Sequence, residues 1–235
     1  MDELKQLLLD HGAALVGCAD LSELPPEGRS GLRYAISIAV ALDPTVIARL
    51  AEGPTREYYV EFGRSNYLLN ALAAVAAEYF DWQGRDALPI APSRNADRAT
   101  LSTPLPHKTV ARLAGLGWIG RSGMLVTPEF GSAVRITTVL TDAKLSVDRP
   151  VQPSRCGDCA DCAASCPAHA ISGRDWSPGT HRDELVNARA CCDAMKETSV
   201  KKLGFADMVC GVCIASCPWT RSYVKRSLSK RAALE

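Results

Sequence analysis

The sequence predicts an α+β chain in two parts: an α/β sandwich over residues 1–150 and a small cysteine-rich domain over residues 151–235. Three observations carry this. Helical and strand-like periodicities interleave through the first part, the pattern of helices packed on a sheet. Nine of the ten cysteines fall at or beyond Cys156. Between the parts, residues 146–155 contain Pro150 and Pro153 and read as a linker.

The elements follow in order. Leu4, Leu7, Leu8 and Leu9 recur at helical spacing over residues 2–11, behind an acidic start. Cys18, in Leu-Val-Gly-Cys-Ala-Asp, reads as a small buried hydrophobe. Residues 35–42, Ala-Ile-Ser-Ile-Ala-Val-Ala-Leu, form a buried strand bounded by Asp43-Pro44, and a short helix follows from Pro44. Residues 56–82 are a long helical stretch rich in Ala and Leu, with a break expected near Gly63. Leu88-Pro-Ile-Ala-Pro is a short strand, and residues 107–115 are a helix after Pro104 and Pro106. Two strands follow, Met124-Leu-Val-Thr and the β-branched Ser132-Ala-Val-Arg-Ile-Thr-Thr-Val-Leu. The turn Thr127-Pro-Glu-Phe-Gly131 between them suggests a hairpin.

Composition is that of an ordinary globular chain, 47% apolar and 23% charged, with a formal net charge of +1. No global field selects nucleic acid or an anionic membrane, and no basic–aromatic stripe points to nucleic acid. No apolar run reaches spanning length. The amphipathic N-terminus does not read as a targeting peptide. Many thiols without an export signal fit a reducing, cytoplasmic setting.

The cysteines carry the chemistry. One run is Cys156-Gly-Asp-Cys159-Ala-Asp-Cys162-Ala-Ala-Ser-Cys166-Pro167, and a second is Cys210-Gly-Val-Cys213-Ile-Ala-Ser-Cys217-Pro218. C-x2-C-x2-C supplies three ligands to one 4Fe-4S cubane, while the fourth cysteine of such a run, followed by proline, ligates the other cluster. Zinc ribbons require no such doubled pattern, and a chain of this length needs no disulfide framework. Two cubanes need eight thiolates. Cys156, Cys159, Cys162 and Cys217 are assigned to one cluster. Cys166, Cys210, Cys213 and either Cys191 or Cys192 are assigned to the other. Spacing leaves the last choice open. Trp219, directly after the second Cys-Pro, is placed to shield a cluster from water.

Gly115-Leu-Gly117-Trp-Ile-Gly120 matches G-x-G-x-x-G, but the order around it is wrong for a dinucleotide fingerprint. A helix enters and an apolar strand leaves, so the helix N-terminus that would hold a pyrophosphate is missing. Gly115 or Gly117 instead caps the helix, and the glycines let a neighbour approach the backbone.

Residues 102–132, from Ser102-Thr-Pro-Leu-Pro-His-Lys through Gly-Leu-Gly-Trp-Ile-Gly-Arg-Ser-Gly to Phe-Gly-Ser, resemble the signature region of epoxyqueuosine reductases, which are related to reductive dehalogenases. Cys213-Ile-Ala-Ser-Cys217-Pro-Trp219 and Asn187-Ala-Arg-Ala-Cys191 look like theirs too, and the latter moves the choice of eighth ligand to Cys191. The resemblance spans roughly residues 10–220. It implies a nitroreductase-like domain that binds cobalamin and substrate over residues 1–150, then a double-4Fe-4S ferredoxin-like domain with a short basic tail. It also implies electron flow through both clusters to a corrinoid that reduces a small substrate or modified nucleoside.

By the same pattern, Arg64, Asn66 and Tyr67 sit in a polar cofactor-facing segment. His107 and Lys108 lie near the cofactor as candidate catalytic residues, His107 as a proton shuttle and Lys108 as a partner for a corrinoid amide or a substrate anion. Gly117 and Arg121 complete the cofactor-binding candidates. The polar stretch Ser93-Arg-Asn-Ala-Asp-Arg98 reads as a loop over the site or as plain surface.

Two departures shape the expectation. The epoxyqueuosine enzymes carry an acidic proton donor where this chain has Leu101, and leucine donates no proton, so that activity is in doubt. Longer relatives add a C-terminal helical-repeat domain, whereas this sequence stops 18 residues beyond Cys217, so a short member is expected. Implied partners are an electron donor of ferredoxin or flavodoxin type and a small-molecule substrate or redox partner, with a homodimer as a further option. The alternative function is an electron-transfer or activation protein that serves a partner redox or corrinoid protein and has no substrate pocket of its own.

Overall fold

The computed structural model describes residues 1–92, 97 and 99–233. Most of the predicted loop Ser93–Arg98 therefore lies outside the described residues. The chain divides into two compact units of interleaved segments. Unit one is residues 1–41, 64–117 and 135–152, and unit two is residues 42–63, 118–134 and 153–235.

Unit one is built on a four-stranded sheet ordered β1-β2-β6-β3. Its strands are β1 (Leu15–Asp20), β2 (Tyr34–Ala41), β3 (Ala87–Ile90) and β6 (Val134–Thr141). β1 pairs antiparallel with β2, Cys18 opposite Ile36, and β3 pairs antiparallel with β6. Alternation along the inner strands sorts the side chains to two faces. On one face Cys18, Tyr34, Ile36, Ile38, Val40 and Val139 meet Leu4 and Leu8 of α1 (Asp2–Asp10) and Leu69, Leu72, Ala76 and Phe80 of α3 (Arg56–Asp81). Each large side chain buried there contributes about 1.5–3 kcal/mol.

Beyond Leu15, the opposite face of β1 and β2 is small: Gly17, Ala19, Ala35, Ser37 and Ala39. There α4 (His107–Leu113) packs on both strands. The approach is so close that a Cβ on Gly17 would overlap the Ala114 carbonyl. Gly17 is thus the condition for a helix on the second face.

The long helix runs unbroken through Gly63, which corrects the expected break. Glycine costs a helix interior only about 1 kcal/mol, and burial of Tyr58, Leu69, Leu72 and Phe80 along the same helix outweighs it. The segment after β6 has no regular structure but is pinned at Asp148. Its carboxylate accepts from Lys5 Nζ and from the Cys18 amide, both at 2.8 Å, and its own amide donates to the Cys18 carbonyl. Gly115 ends α4 at φ +73, the left-handed cap anticipated.

Unit two holds the helices α2 (Pro44–Ile47), α5 (Asp161–Ala164), α6 (Arg182–Leu185), α7 (Ala188–Leu203), α8 (Val212–Ser216) and α9 (Pro218–Ala232). It also holds a two-stranded ribbon, β4 (Trp118–Ile119) with β5 (Leu125–Val126). The expected hairpin of β5 with β6 is therefore not formed. Thr127 and Gly131 bridge to close the turn, but β5 pairs with β4 while β6 joins the four-stranded sheet. The core of this unit gathers Leu42, Ile47, Leu50, Tyr58, Ala133, Leu203, Val209, Ile214 and Tyr223. Buried Tyr223 donates its hydroxyl to the Leu42 carbonyl at 2.8 Å. Among the described residues no helix is long and apolar enough to cross a membrane.

Candidate metal centres

Short turns present the cysteines. Cys156 begins a turn closed by the Cys159 amide, and α5 carries Cys162 on its first turn. Cys217 ends α8 and starts α9, with Pro218 at the first helical position. Proline is suited to that position because its missing amide hydrogen would have no partner there. Cys156, Cys159, Cys162 and Cys217 line one cavity of about 100 Å³ with Gly120, Arg121, Ser122, Val126, Pro218 and Trp219. Among the described residues no three His, Cys, Asp or Glu side chains converge as on a single ion. The four sulfurs stand around a space, as the corners of a cubane require.

The second set is grouped by its electrostatics. Burial pushes the Cys213 thiol up to about 12, and the neighbouring Cys210, Cys191, Cys162 and Cys166 add to the rise. Burial likewise raises Cys191 to about 11, with Cys166 and Cys210 next. Cys162 of the first set rises to about 11 by burial, then through Cys156, Cys217 and Cys159. Buried thiols that crowd one another resist ionising together, and bound iron supplies the positive charge that lets them do so. The donor sets therefore fit iron–sulfur clusters. Asn187 caps α7 through the Ala190 amide and sets Cys191 on the first turn. Cys192 points elsewhere, buried with its sulfur 3.5 Å from Met208 Sδ. The Ala170 amide donates to Cys166 Sγ at 3.4 Å, the kind of bond that tunes a cluster thiolate.

Aromatic packing closes the first site. Trp219 lines the cavity, as the sequence suggested, and its ring meets Trp118 edge to face at 5.0 Å. Arg155 lies 5.7 Å over the Trp118 ring. An added Cβ at Gly120 would lie 2.7 Å from Val126 and 3.4 Å from Cys156 Sγ, so the backbone there abuts that sulfur. The glycine run found from sequence is thus partly explained by sulfur.

The other candidates are spread over the chain. Arg121 is at the first cysteine cavity, forked onto Asp175 at 3.0 and 2.9 Å. Asp175 carried no sequence signal, because its partner lies 54 residues away. In unit one, Asn66 Oδ1 accepts twice from Arg135, at 3.1 and 2.8 Å. Tyr67 is 80% exposed. Arg64 is exposed, Lys108 is half-buried and Gly117 is buried. His107 braces β3's end to β6: Nε2 donates to the Ala91 carbonyl at 3.1 Å and Nδ1 accepts from Thr138 Oγ1 at 2.8 Å. Burial, with Arg135 nearby, holds His107 below its ordinary pKa and hence neutral. Leu101 has φ +52, unusual for a leucine.

Comparison with known proteins places this geometry. The family described as "4Fe-4S double cluster binding domain" matches residues 155–220. The epoxyqueuosine reductase of Synechococcus sp. (strain CC9605) is 35% identical over 135 residues, 54% of this chain and 39% of that protein. The tetrachloroethene reductive dehalogenase of Sulfurospirillum multivorans is 34% identical over 117 residues, 47% of this chain and 23% of that one. The matched stretch thus spans less than half the length of these curated relatives.

Among solved structures, a catabolic reductive dehalogenase bound to 3-bromo-4-hydroxybenzoic acid superposes with TM-score 0.72 at 22% identity, over 92% of this chain and 31% of that one. Another is described as suggesting a mechanism for B12-dependent dehalogenation, with TM-score 0.71 at 23% identity over 92% of this chain and 31% of that one. Epoxyqueuosine reductase from Streptococcus thermophilus superposes with TM-score 0.61 at 20% identity, over 93% and 65%. These structural likenesses are of fold. The nitroreductase-like description expected for residues 1–150 is not carried by any of them. The chain is a homologue of the epoxyqueuosine reductases and of tetrachloroethene reductive dehalogenase, and it contains a 4Fe-4S double cluster binding domain.

Proposed function

We propose that the chain is an iron–sulfur oxidoreductase that takes in low-potential electrons through two 4Fe-4S clusters. Cys156, Cys159, Cys162 and Cys217 hold one cluster, and Cys166, Cys191, Cys210 and Cys213 hold the other. The observation that carries this is the common cavity of the first four cysteines, with Trp219 in its wall. Both curated relatives named above are reductases, which supports a reductive role. A bound cluster supplies one-electron steps at potentials that can reach about −700 mV. The chain's residues supply the thiolates, the amide bond to Cys166 and the aromatic wall that keeps water off.

The electron acceptor in this reading is a corrinoid that acts on a small organic substrate or modified nucleoside. Its support is the fold shared with a B12-dependent dehalogenase. His107 and Asn66, put forward to meet it, are instead committed to bonds within unit one. The electron donor in this reading is a ferredoxin or flavodoxin.

The test is anaerobic reconstitution followed by titration with cob(II)alamin, read by EPR and visible spectra. Iron near eight per chain and a stoichiometric base-off cobalt signal are expected. Markedly less iron overturns the two-cluster assignment. Full iron with no cobalt shift removes the corrinoid step and leaves an electron carrier that serves a partner protein.

A further inference from the structure

We infer that Arg121 tunes the first cluster site: held by Asp175, its positive charge raises the reduction potential of the cluster on Cys156, Cys159, Cys162 and Cys217 above that of the second. The inference rests on the two-cluster reading. Arg121 lines the same cavity as the four sulfurs, and Asp175 does not. The Arg121 side chain is 17% exposed and that of Asp175 50%. Arg121 thus reaches the cluster space, where its charge interacts with Cys156, while Asp175 is the more exposed partner of the pair.

The fork is fixed from both ends. Two nearly parallel bonds, 3.0 and 2.9 Å, set the plane of the guanidinium. The Ser154 hydroxyl bonds Asp175, and Ser154 Oγ accepts the Cys156 amide at 3.3 Å. Arg121, Asp175, Ser154 and Cys156 thus form one network around a ligand. The backbone before Arg121 is locked too, since Gly120 abuts Cys156 Sγ and Val126.

The physical consequence has a definite sign. One-electron reduction adds one negative charge to a cluster and its thiolates. A cation in the cavity wall stabilises that reduced form, and the carboxylate, the more exposed of the pair, is the more strongly screened by solvent and offsets it only in part. Net charge is one of the levers that set cluster potential. The second site lies in a different medium: Cys213 packs against the apolar group around Leu42, Leu50, Tyr58 and Ile214. An apolar surround opposes added charge. Electrons accordingly run from the second cluster to the first. Asp175 acts here as a positioning residue.

The experiment is an EPR-monitored redox titration of the reconstituted holoprotein as wild type, R121Q and R121K, with iron counted in each. R121M, apolar and of similar length, replaces R121Q if that variant does not hold iron. Cys159→Ser identifies the couples, since the couple it spares belongs to the second cluster. Expected is a first couple above the second in the wild type. R121Q lowers the first couple by roughly tenfold in its reduced-to-oxidised ratio, about 59 mV for one electron. R121K, which keeps the charge, retains most of the wild-type value, and the second couple does not move in either variant. The inference is overturned if R121Q leaves the first couple in place, if both couples move together, if R121K shifts as far as R121Q, or if the wild-type order is reversed. Wild-type protein short of eight irons overturns the underlying two-cluster reading instead, before any variant is compared.

Discussion

Gly131→Ala tests how tightly the Cys-Pro-Trp segment is built into unit two. Gly131 closes the turn after β5 at φ +59, exchanging backbone hydrogen bonds with Thr127 at 2.9 and 3.0 Å. An added Cβ would lie 2.5 Å from Thr220 Oγ1 and 2.6 Å from the Trp219 carbonyl carbon. The Trp219 carbon and the Thr220 amide nitrogen, which is nearer still, are backbone and cannot rotate aside. Thr220 Oγ1 accepts the Ser132 amide at 2.9 Å in a buried bond. The left-handed backbone costs an alanine about 1–2 kcal/mol. Overpacking against backbone adds about 1–3 kcal/mol, and a weakened buried hydrogen bond about 1 kcal/mol. The total is roughly 3–6 kcal/mol, a fall of at least about 6 °C in Tm for a chain of this size. Gly179→Ala is the control: φ is +91, with nothing within 4 Å of an added Cβ, so it carries only the conformational cost. The assay is thermal unfolding of the holoprotein by circular dichroism, with iron counted before and after. Gly131→Ala should melt well below Gly179→Ala and lose iron first from the first cluster, whose proposed ligand Cys217 lies two residues from Trp219. Equal melting of the two variants would refute the packing argument.

Three further outcomes are expected. Cys191→Ser should halve the iron recovered on reconstitution and Cys192→Ser should leave it intact; the reverse would exchange the two residues' roles. Tyr223→Phe leaves the buried Leu42 carbonyl without its hydroxyl partner, and should cost about 1–3 kcal/mol in urea unfolding, with a change inside error counting against that bond. His107 has a folded pKa below its ordinary 6.5, chiefly through burial. Its neutral form therefore contributes stability above pH 6.5, and that stability is lost as pH falls through the lowered folded value. His107→Gln should accordingly be most destabilising near neutral pH and converge on wild type in acid, and a gap between their urea midpoints that stays constant with pH would contradict the brace.

What could be read from the sequence was local. Ligand spacing is a short-range property, so the cysteine runs declared themselves, and the cap at Gly115 followed from the helix before it. Partner choice is long-range, and there the reading failed or was silent. Residues 124–140 contain two strands and a good turn, yet β5 takes Trp118–Ile119 as partner and β6 joins a sheet built mainly from other segments. β1 escaped notice because Gly17 weakens its strand pattern. The reason for that glycine is the Ala114 carbonyl, nearly a hundred residues away in sequence. Gly63 looked like a break because propensity was weighed without burial. Arg121 was visible as a polar residue beside a glycine turn, but the role proposed for it depends on Asp175, which only the fold brings to it. Between Cys191 and Cys192 spacing was neutral. Helix phase separates them, one turned toward Cys166 and Cys210 and the other toward Met208.

Cys217 belongs at once to the end of α8 and the start of α9. One inserted residue after it would advance the phase of α9 by about 100°. Thr220 would leave the Ser132 amide, Tyr223 the Leu42 carbonyl and Trp219 its edge contact with Trp118, even though every cysteine kept its identity. The spacing around this cysteine answers to a rotational register as well as to the cluster proposed for it. Single-residue insertions or deletions there should be tolerated far less well than substitutions.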